Sequence, residues 1–430
     1  MLRNVATLHR SLRYSRSTLY RWGLATLFCL LAWHLGIGPV PLQAQATAST
    51  DPVPLVIILT RLDKGDVAGA ERLMRDNLPV MKRRLEEMIA DFDNKFDELG
   101  RSGATAGHDV HIEILQKFIE EVTRNEKLFD VYRRLANDEV IYKRVEARRL
   151  RFEGAYYTHY GEDVCGETLD WEEAQRRYNI ALDRLQAAFA IAKEVNDVRL
   201  MASTMNNVGS TYIRLVQPEK AVQAYEEGMR YANQLPGEMY KGLVNLNMGN
   251  AYVWIGEPET SLKYSEPALA SFKKMGRGTW EANVLMNIGN AYMREQKYSN
   301  SWENLHLALE LSKQSGEDRV RGRALLNLGA VAYQLKKPEA EALVKEGLDW
   351  YAKEGADVYT TIEKEVVQED GLRLLSRIAR EKGDQAGAEK YDKQFFEAIG
   401  VDPDRYGKLR ASPCFAIYQA RPAGELKAKR

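Results

Sequence analysis

A three-residue signature returns every 40 residues through the middle of the chain, and a fixed period of that length admits few folds. Asn207-Val208-Gly209 recurs as Asn247-Met248-Gly249, Asn287-Ile288-Gly289 and Asn327-Leu328-Gly329. Three residues after the glycine stand Tyr212, Tyr252 and Tyr292; the fourth copy has Ala332 there, with Tyr333 next to it. Twelve residues after the glycine come Ala221, Ser261 and Ser301, and the copies close at Gly237, Gly276, Gly316 and Gly355. Met205, Val208, Tyr212 and Leu215 keep the three- and four-residue spacing of an amphipathic helix. Pro218 opens a second stripe, Ala221, Ala224, Tyr225 and Met229, from the first-turn position that proline favours. Each copy therefore reads as two helices. The glycine lets them cross closely, the small residue on the second helix serves the same close approach, and the tyrosine fills the groove beside them.

The pattern resembles the tetratricopeptide repeat family in its longer, 40-residue form, as in kinesin light chains and many bacterial exported proteins. The resemblance covers residues 198–355. Gly228 and Gly347 depart from it, standing where the family usually has alanine, and the fourth copy has lost one residue in its second helix. It implies an all-α fold, a right-handed superhelical solenoid of antiparallel helix pairs. It also implies a concave groove that binds a protein or an extended peptide.

Worn copies flank the array. Phe152-Glu153-Gly154 with Tyr157 begins a degenerate pair over 141–197, with about fifteen inserted residues placed in a Gly161–Trp171 loop that holds Cys165. Leu375-Ser376 with Ala379 begins a capping pair over 356–402, and such arrays need a cap with a polar outer face. Residues 47–140 read as helical. Leu78, Met81, Leu85, Met88, Phe92, Phe96 and Leu99 form one long stripe that docks on the chain itself or on another helix. A Gly-rich break follows at 100–107, and two short helices lie between Ile114 and Leu135. Residues 403–430, with seven basic residues and two acidic ones, read as a mostly disordered tail.

Residues 1–46 contain no acid. Arg3, Arg10, Arg13, Arg16 and Arg21 precede an apolar run from Trp22 to Gly38, and Ala44-Gln45-Ala46 follows. That order reads as an export signal cut before Thr47, which places the protein in the periplasm or outside the cell. An uncleaved membrane anchor and an organelle-targeting segment are the alternatives. Export leaves Cys165 and Cys414, either as a disulfide or as two free thiols; nothing in the sequence brings them together.

The 61 basic and 61 acidic residues cancel, which argues against a nucleic-acid binder. No phosphate loop, nucleophile elbow or thiolate cluster is present, so neither catalysis nor a cofactor is expected. His108 and His111 share a helix face but read as a polar helix start rather than a metal site. The functional reading falls on the recurring asparagines. Asn207, Asn247, Asn287 and Asn327, with Ser210, Asn250 and Asn290 one residue after the glycine, form a ladder along one face of the first helices. A carboxamide donates and accepts, so a row of them matches a peptide backbone regardless of its side chains, while the competing use is to tie adjacent helices together. Arg214, Trp254, Arg294 and Gln334 continue the strip, and its two arginines favour an acidic or carboxylate-bearing ligand. The expected function is an exported interaction scaffold that holds a partner protein or extended peptide; the alternative is a membrane-anchored assembly factor.

Overall fold

A computed structural model of the chain describes residues 55–102, 108–316, 318–352, 361–398 and 412–416. The leader with its cut before Thr47, residues 103–107 of the Gly-rich break and most of the tail lie outside the described residues. Sixteen helices of nine residues or more fill the described chain, with no strand among the described residues. In order they are α1 (Leu55–Asp63), α2 (Val67–Arg75), α3 (Leu78–Ser102), α4 (His108–Ala136), α5 (Glu139–Thr168), α6 (Trp171–Glu194), α7 (Val198–Arg214) and α8 (Pro218–Ala232). There follow α9 (Met239–Ile255), α10 (Pro258–Lys274), α11 (Gly278–Arg294), α12 (Tyr298–Ser315), α13 (Asp318–Gln334), α14 (Ala340–Ala352), α15 (Thr361–Glu381) and α16 (Gln385–Ala398). From α5 onward the helices pair two by two, and each second helix also packs on the first helix of the next pair.

The glycines sit where the pairing is tightest. A Cβ on Gly209 would lie 2.3 Å from the Tyr225 ring, one on Gly289 2.6 Å from Leu305, and one on Gly329 2.4 Å from Val344. The side chain over the glycine is therefore sixteen residues on, and fifteen in the fourth copy, where the deleted residue shows directly. The small residue at twelve contributes mainly through its backbone and its own burial: Ser261 O would lie 3.3 Å from a Gly249 Cβ, and Ser301 Oγ donates to Gly289 O at 2.7 Å. The turn between the two helices of a pair places Val216, Gly256, Gln296 and Lys336 in the left-handed region, φ 53–87°, and only one of the four is a glycine.

Two sequence expectations are corrected. The fifteen extra residues of the first pair form no loop. They lengthen its helices, so that α5 runs 30 residues through Gly161 to Thr168, and Leu169 alone turns the chain with φ 59° before Asp170 caps α6. The register proves the point: the partner of Gly154 is Leu185, 31 residues on instead of sixteen. Likewise the region from Ile114 to Leu135 is one helix, α4, with no break at which two helices could part. The tail, read as mostly disordered, has one anchored stretch: Pro413–Ala416 is a short helix, and Cys414 is bonded to Cys165 in the buried core between α5 and α6.

Candidate functional site

The first helices of the pairs, α5, α7, α9, α11, α13 and α15, form an inner layer in which consecutive members touch. Its best-knit seam joins α5 to α7. From one end to the other, Arg148 pairs with Asp197 at 2.9 Å, Arg151 donates to Ser203 at 2.7 Å, Thr158 meets Thr211 at 2.8 Å, and Arg214 pairs with Glu162 at 2.8 Å.

The ladder lies in this layer, and its members are used unequally. Asn247 Nδ2 donates to Asn206 Oδ1 at 2.9 Å, and Asn327 Nδ2 donates to Asn290 Oδ1 at 2.7 Å, so two of the four rungs tie neighbouring first helices together. Asn287 is buried among the core side chains at 8% exposure. The Nδ2 of Asn207 is enclosed and has no hydrogen-bond partner. Ser210 donates to Asn206 O at 3.1 Å, and Asn250 is exposed.

The strip beyond the ladder also differs in detail from its sequence reading. Arg214 faces the buried carboxylate of Glu162, so its charge is already matched within the chain. Arg294 is half-buried, and loss of water pushes its guanidinium below the ordinary arginine value. Trp254 packs against the apolar cluster that contains Cys165 and Cys414. Gln334 is exposed. Among the described residues, no group of three His, Cys, Asp or Glu is arranged to hold a metal ion, and no helix is long and apolar enough to cross a membrane.

Sequence reasoning missed what lies across one end of this layer. Helix α3 packs on the N-terminal half of α5 and reaches the first turns of α7 and α9. Asp93 binds Arg148 through both oxygens, at 3.1 and 2.6 Å, and accepts from Arg151 at 3.1 Å. Asp97 accepts from Arg199 at 2.6 Å and from Tyr240 at 3.2 Å, and Arg199 Nε donates to Tyr240 at 2.9 Å. Arg151 is wholly buried, with its guanidinium 4.2 Å above the Phe96 ring, which stacks on Phe152. Burial alone opposes the Asp93 carboxylate, but Arg148 and Arg151 outweigh it and hold the group below the usual carboxylate range. Burial also pushes the Tyr240 hydroxyl up to about 12, reinforced by Asp97. The legible signal was an acid set inside the apolar stripe of α3, between Phe92 and Phe96, matched by Arg148 and Arg151 one turn apart.

No family model matches the chain, and no curated protein matches it. Among solved structures it is similar to a STAND-class signal transduction ATPase with a tetratricopeptide repeat sensor from Pyrococcus horikoshii. That match has 16% identity and a TM-score of 0.45, and covers 70% of this chain and 47% of the other, so the chain spans about half the length of that protein. It is also similar to the quorum sensor NprR of B. thuringiensis in its apo form, at 15% identity and TM-score 0.41, over 77% of this chain and 99% of the other. Aspartyl phosphate phosphatase F from Bacillus subtilis gives 14% identity and TM-score 0.43, over 88% and 98%. At such values the chain's own repeat carries the assignment: helix pairs at a 40-residue period, crossing at glycines, make it a tetratricopeptide-like helical repeat protein.

Proposed function

We propose that the protein is an exported scaffold that holds an extended segment of a partner protein against the inner layer of its first helices. The observation that carries this reading is the recurrence of asparagine where consecutive first helices meet, with only two of the four rungs bonded to a neighbouring helix. A stack needing only cohesion is served by apolar residues there, whereas the enclosed Asn207 amide and the exposed Asn250 supply donors and acceptors that a peptide backbone would complete. Arg294, half-buried on the same strip, adds a guanidinium suited to an acidic group on the ligand.

Selection from a library of short linear peptides on the immobilised chain tests the reading. A selected peptide is expected to lose roughly tenfold in affinity on Asn207→Ala combined with Asn250→Ala, since each neutral hydrogen bond contributes about 0.5–1.5 kcal/mol. A double variant that loses stability and keeps its affinity would make the ladder a structural device alone.

Export belongs to the same reading. It is supported by the acid-free basic leader and by the Cys165–Cys414 bond, because disulfides persist in oxidising compartments. Sequencing the mature N-terminus is expected to give Thr47; an intact Met1 would move the protein to the membrane-anchored alternative.

A further inference from the structure

The signature tyrosine of the repeat is covered in one copy and uncovered in another. Tyr252 is stacked by Tyr264, with ring centroids 5.3 Å apart and the planes 1° from parallel. Tyr264 stands on the second helix of its pair, fifteen residues after Gly249. Fifteen residues after Gly209 the first copy has Ala224, so Tyr212 faces a methyl group where Tyr252 faces a ring. The third and fourth copies carry Asn304 and Leu343 at this position, which leaves the first as the one with a side chain of a single carbon. A cavity of about 360 Å³ lies at the difference. Tyr212 and Ala224 both border it, and Phe189, Met205 and Val208 complete its apolar wall. Phe189 is held by an edge-on contact with Tyr231. Lys220 and Glu227 also border the cavity, and their opposite signs favour a neutral occupant over an ion.

The cavity opens away from the inner layer. Ser203 and Arg214 of α7 bond to α5, and Asn206 bonds to α9. At about 100° per residue, Met205, Val208 and Tyr212 fall on the opposite side of the helix. The opening therefore lies between the second helices α6 and α8, which supply Phe189 and Ala224.

We propose that this cavity is a socket for one tyrosine side chain of a partner protein, stacked on Tyr212 as Tyr264 is stacked on Tyr252. The neighbouring repeat displays the occupant, because the same backbone position there places a phenol ring on the equivalent tyrosine. A volume near the lower end of the range for ligand sites suits a single ring. Stacking adds to the gain from burial, and aromatic side chains seated in pockets are the usual anchors of protein interfaces. The socket needs nothing from the asparagine ladder, so either can fail without the other.

The probe is N-acetyl-tyrosinamide, a tyrosine side chain with a peptide group on each side, titrated into the intact chain and followed by methyl NMR. Saturable shifts are expected at Met205, Val208 and Ala224. The cyclohexylalanine analogue is expected to bind about two- to tenfold more weakly, since it buries similar area without stacking. Ala224→Tyr is expected to fill the socket and abolish binding. Tyr264→Ala is expected to open a second socket, seen as new shifts at Met248, and carries the test if Ala224→Tyr does not fold. No saturable shift in the parent, undiminished binding by a folded Ala224→Tyr chain, or a folded Tyr264→Ala chain without new shifts would overturn the socket. Equal affinity for the cyclohexyl analogue would overturn the aromatic occupant. Binding of p-cresol with exclusion of N-acetyl-tyrosinamide would overturn the partner protein in favour of a small phenol.

Discussion

At the scale of single residues, the glycines and the buried aspartate make opposite kinds of demand. A Cβ on Gly249 first meets Ser265 Oγ, which rotates aside, whereas one on Gly329 meets Val344 and its backbone nitrogen at 3.1 Å. Gly249→Ala is therefore expected to be nearly neutral, with the helix-propensity gain offsetting the contact. Gly329→Ala should cost about 1–3 kcal/mol, as should Gly249→Leu, all measured by urea denaturation. Asp93→Asn leaves Arg151 buried without a countercharge and should cost about 3 kcal/mol or more. Because the folded-state pKa of Asp93 is depressed, its stabilisation is complete above the unfolded value of about 3.9 and is lost as the pH falls below that through the folded value. Acid titration of stability should show this loss in the parent and a smaller one in Asp93→Asn. The signature glycines were legible because a steric need repeats at a fixed interval. Asp93 was legible only as an acid beside the apolar stripe of α3; its partners lie 55 and 58 residues away, and sequence spacing carries no trace of which residues meet in a contact made once.

Among the elements, the second helices and the turns follow the period closely, and the departures have physical causes. A one-residue turn through the left-handed region joins each pair, and Gln296 occupies it, exposed, at φ 59°. A non-glycine residue in that region costs about 1 kcal/mol or more, so Gln296→Gly is expected to raise stability by about that amount in thermal or chemical denaturation. The insertion in the first pair reads as a Gly161–Trp171 loop from the long interval between Gly154 and Gly209, in a stretch whose glycines stand at 154, 161 and 166. Two of them serve packing instead: a Cβ on Gly154 would strike Leu185 at 2.5 Å, and one on Gly161 the Tyr178 ring at 2.6 Å. Extra length was thus absorbed as two further turns on each helix, which brings Glu162 level with Arg214 and Cys165 to the last turn of α5.

For the molecule as a whole, the helix-pair architecture was legible from one motif, because each repeat contacts mainly its neighbours and the local pattern propagates. The contact of α15 with α5, which closes the row of first helices into a circuit, was not. It depends on small rotations summed over five steps, and no residue encodes that sum. The covalent tie of Cys414 to Cys165 spans 249 residues. Cys414→Ser is expected to lower stability by about 2–5 kcal/mol in non-reducing denaturation and to speed proteolysis of the segment around Pro413–Ala416. Little change in either would mean that the packing of α15 on α5 closes the circuit unaided.

The same tie sets a timetable for biogenesis. Cys165 emerges from the ribosome 249 residues before its partner, an interval of about 10–50 s at ordinary synthesis rates. During that interval most of the repeats are already available to fold, while a thiol whose final site is wholly buried waits at the end of α5. The bond can form only after residue 414 has been made, so it records synthesis of the whole stretch between the two cysteines. A product truncated before Cys414 keeps Cys165 as an unpaired thiol in the last turn of α5, where the longer chain carries a disulfide.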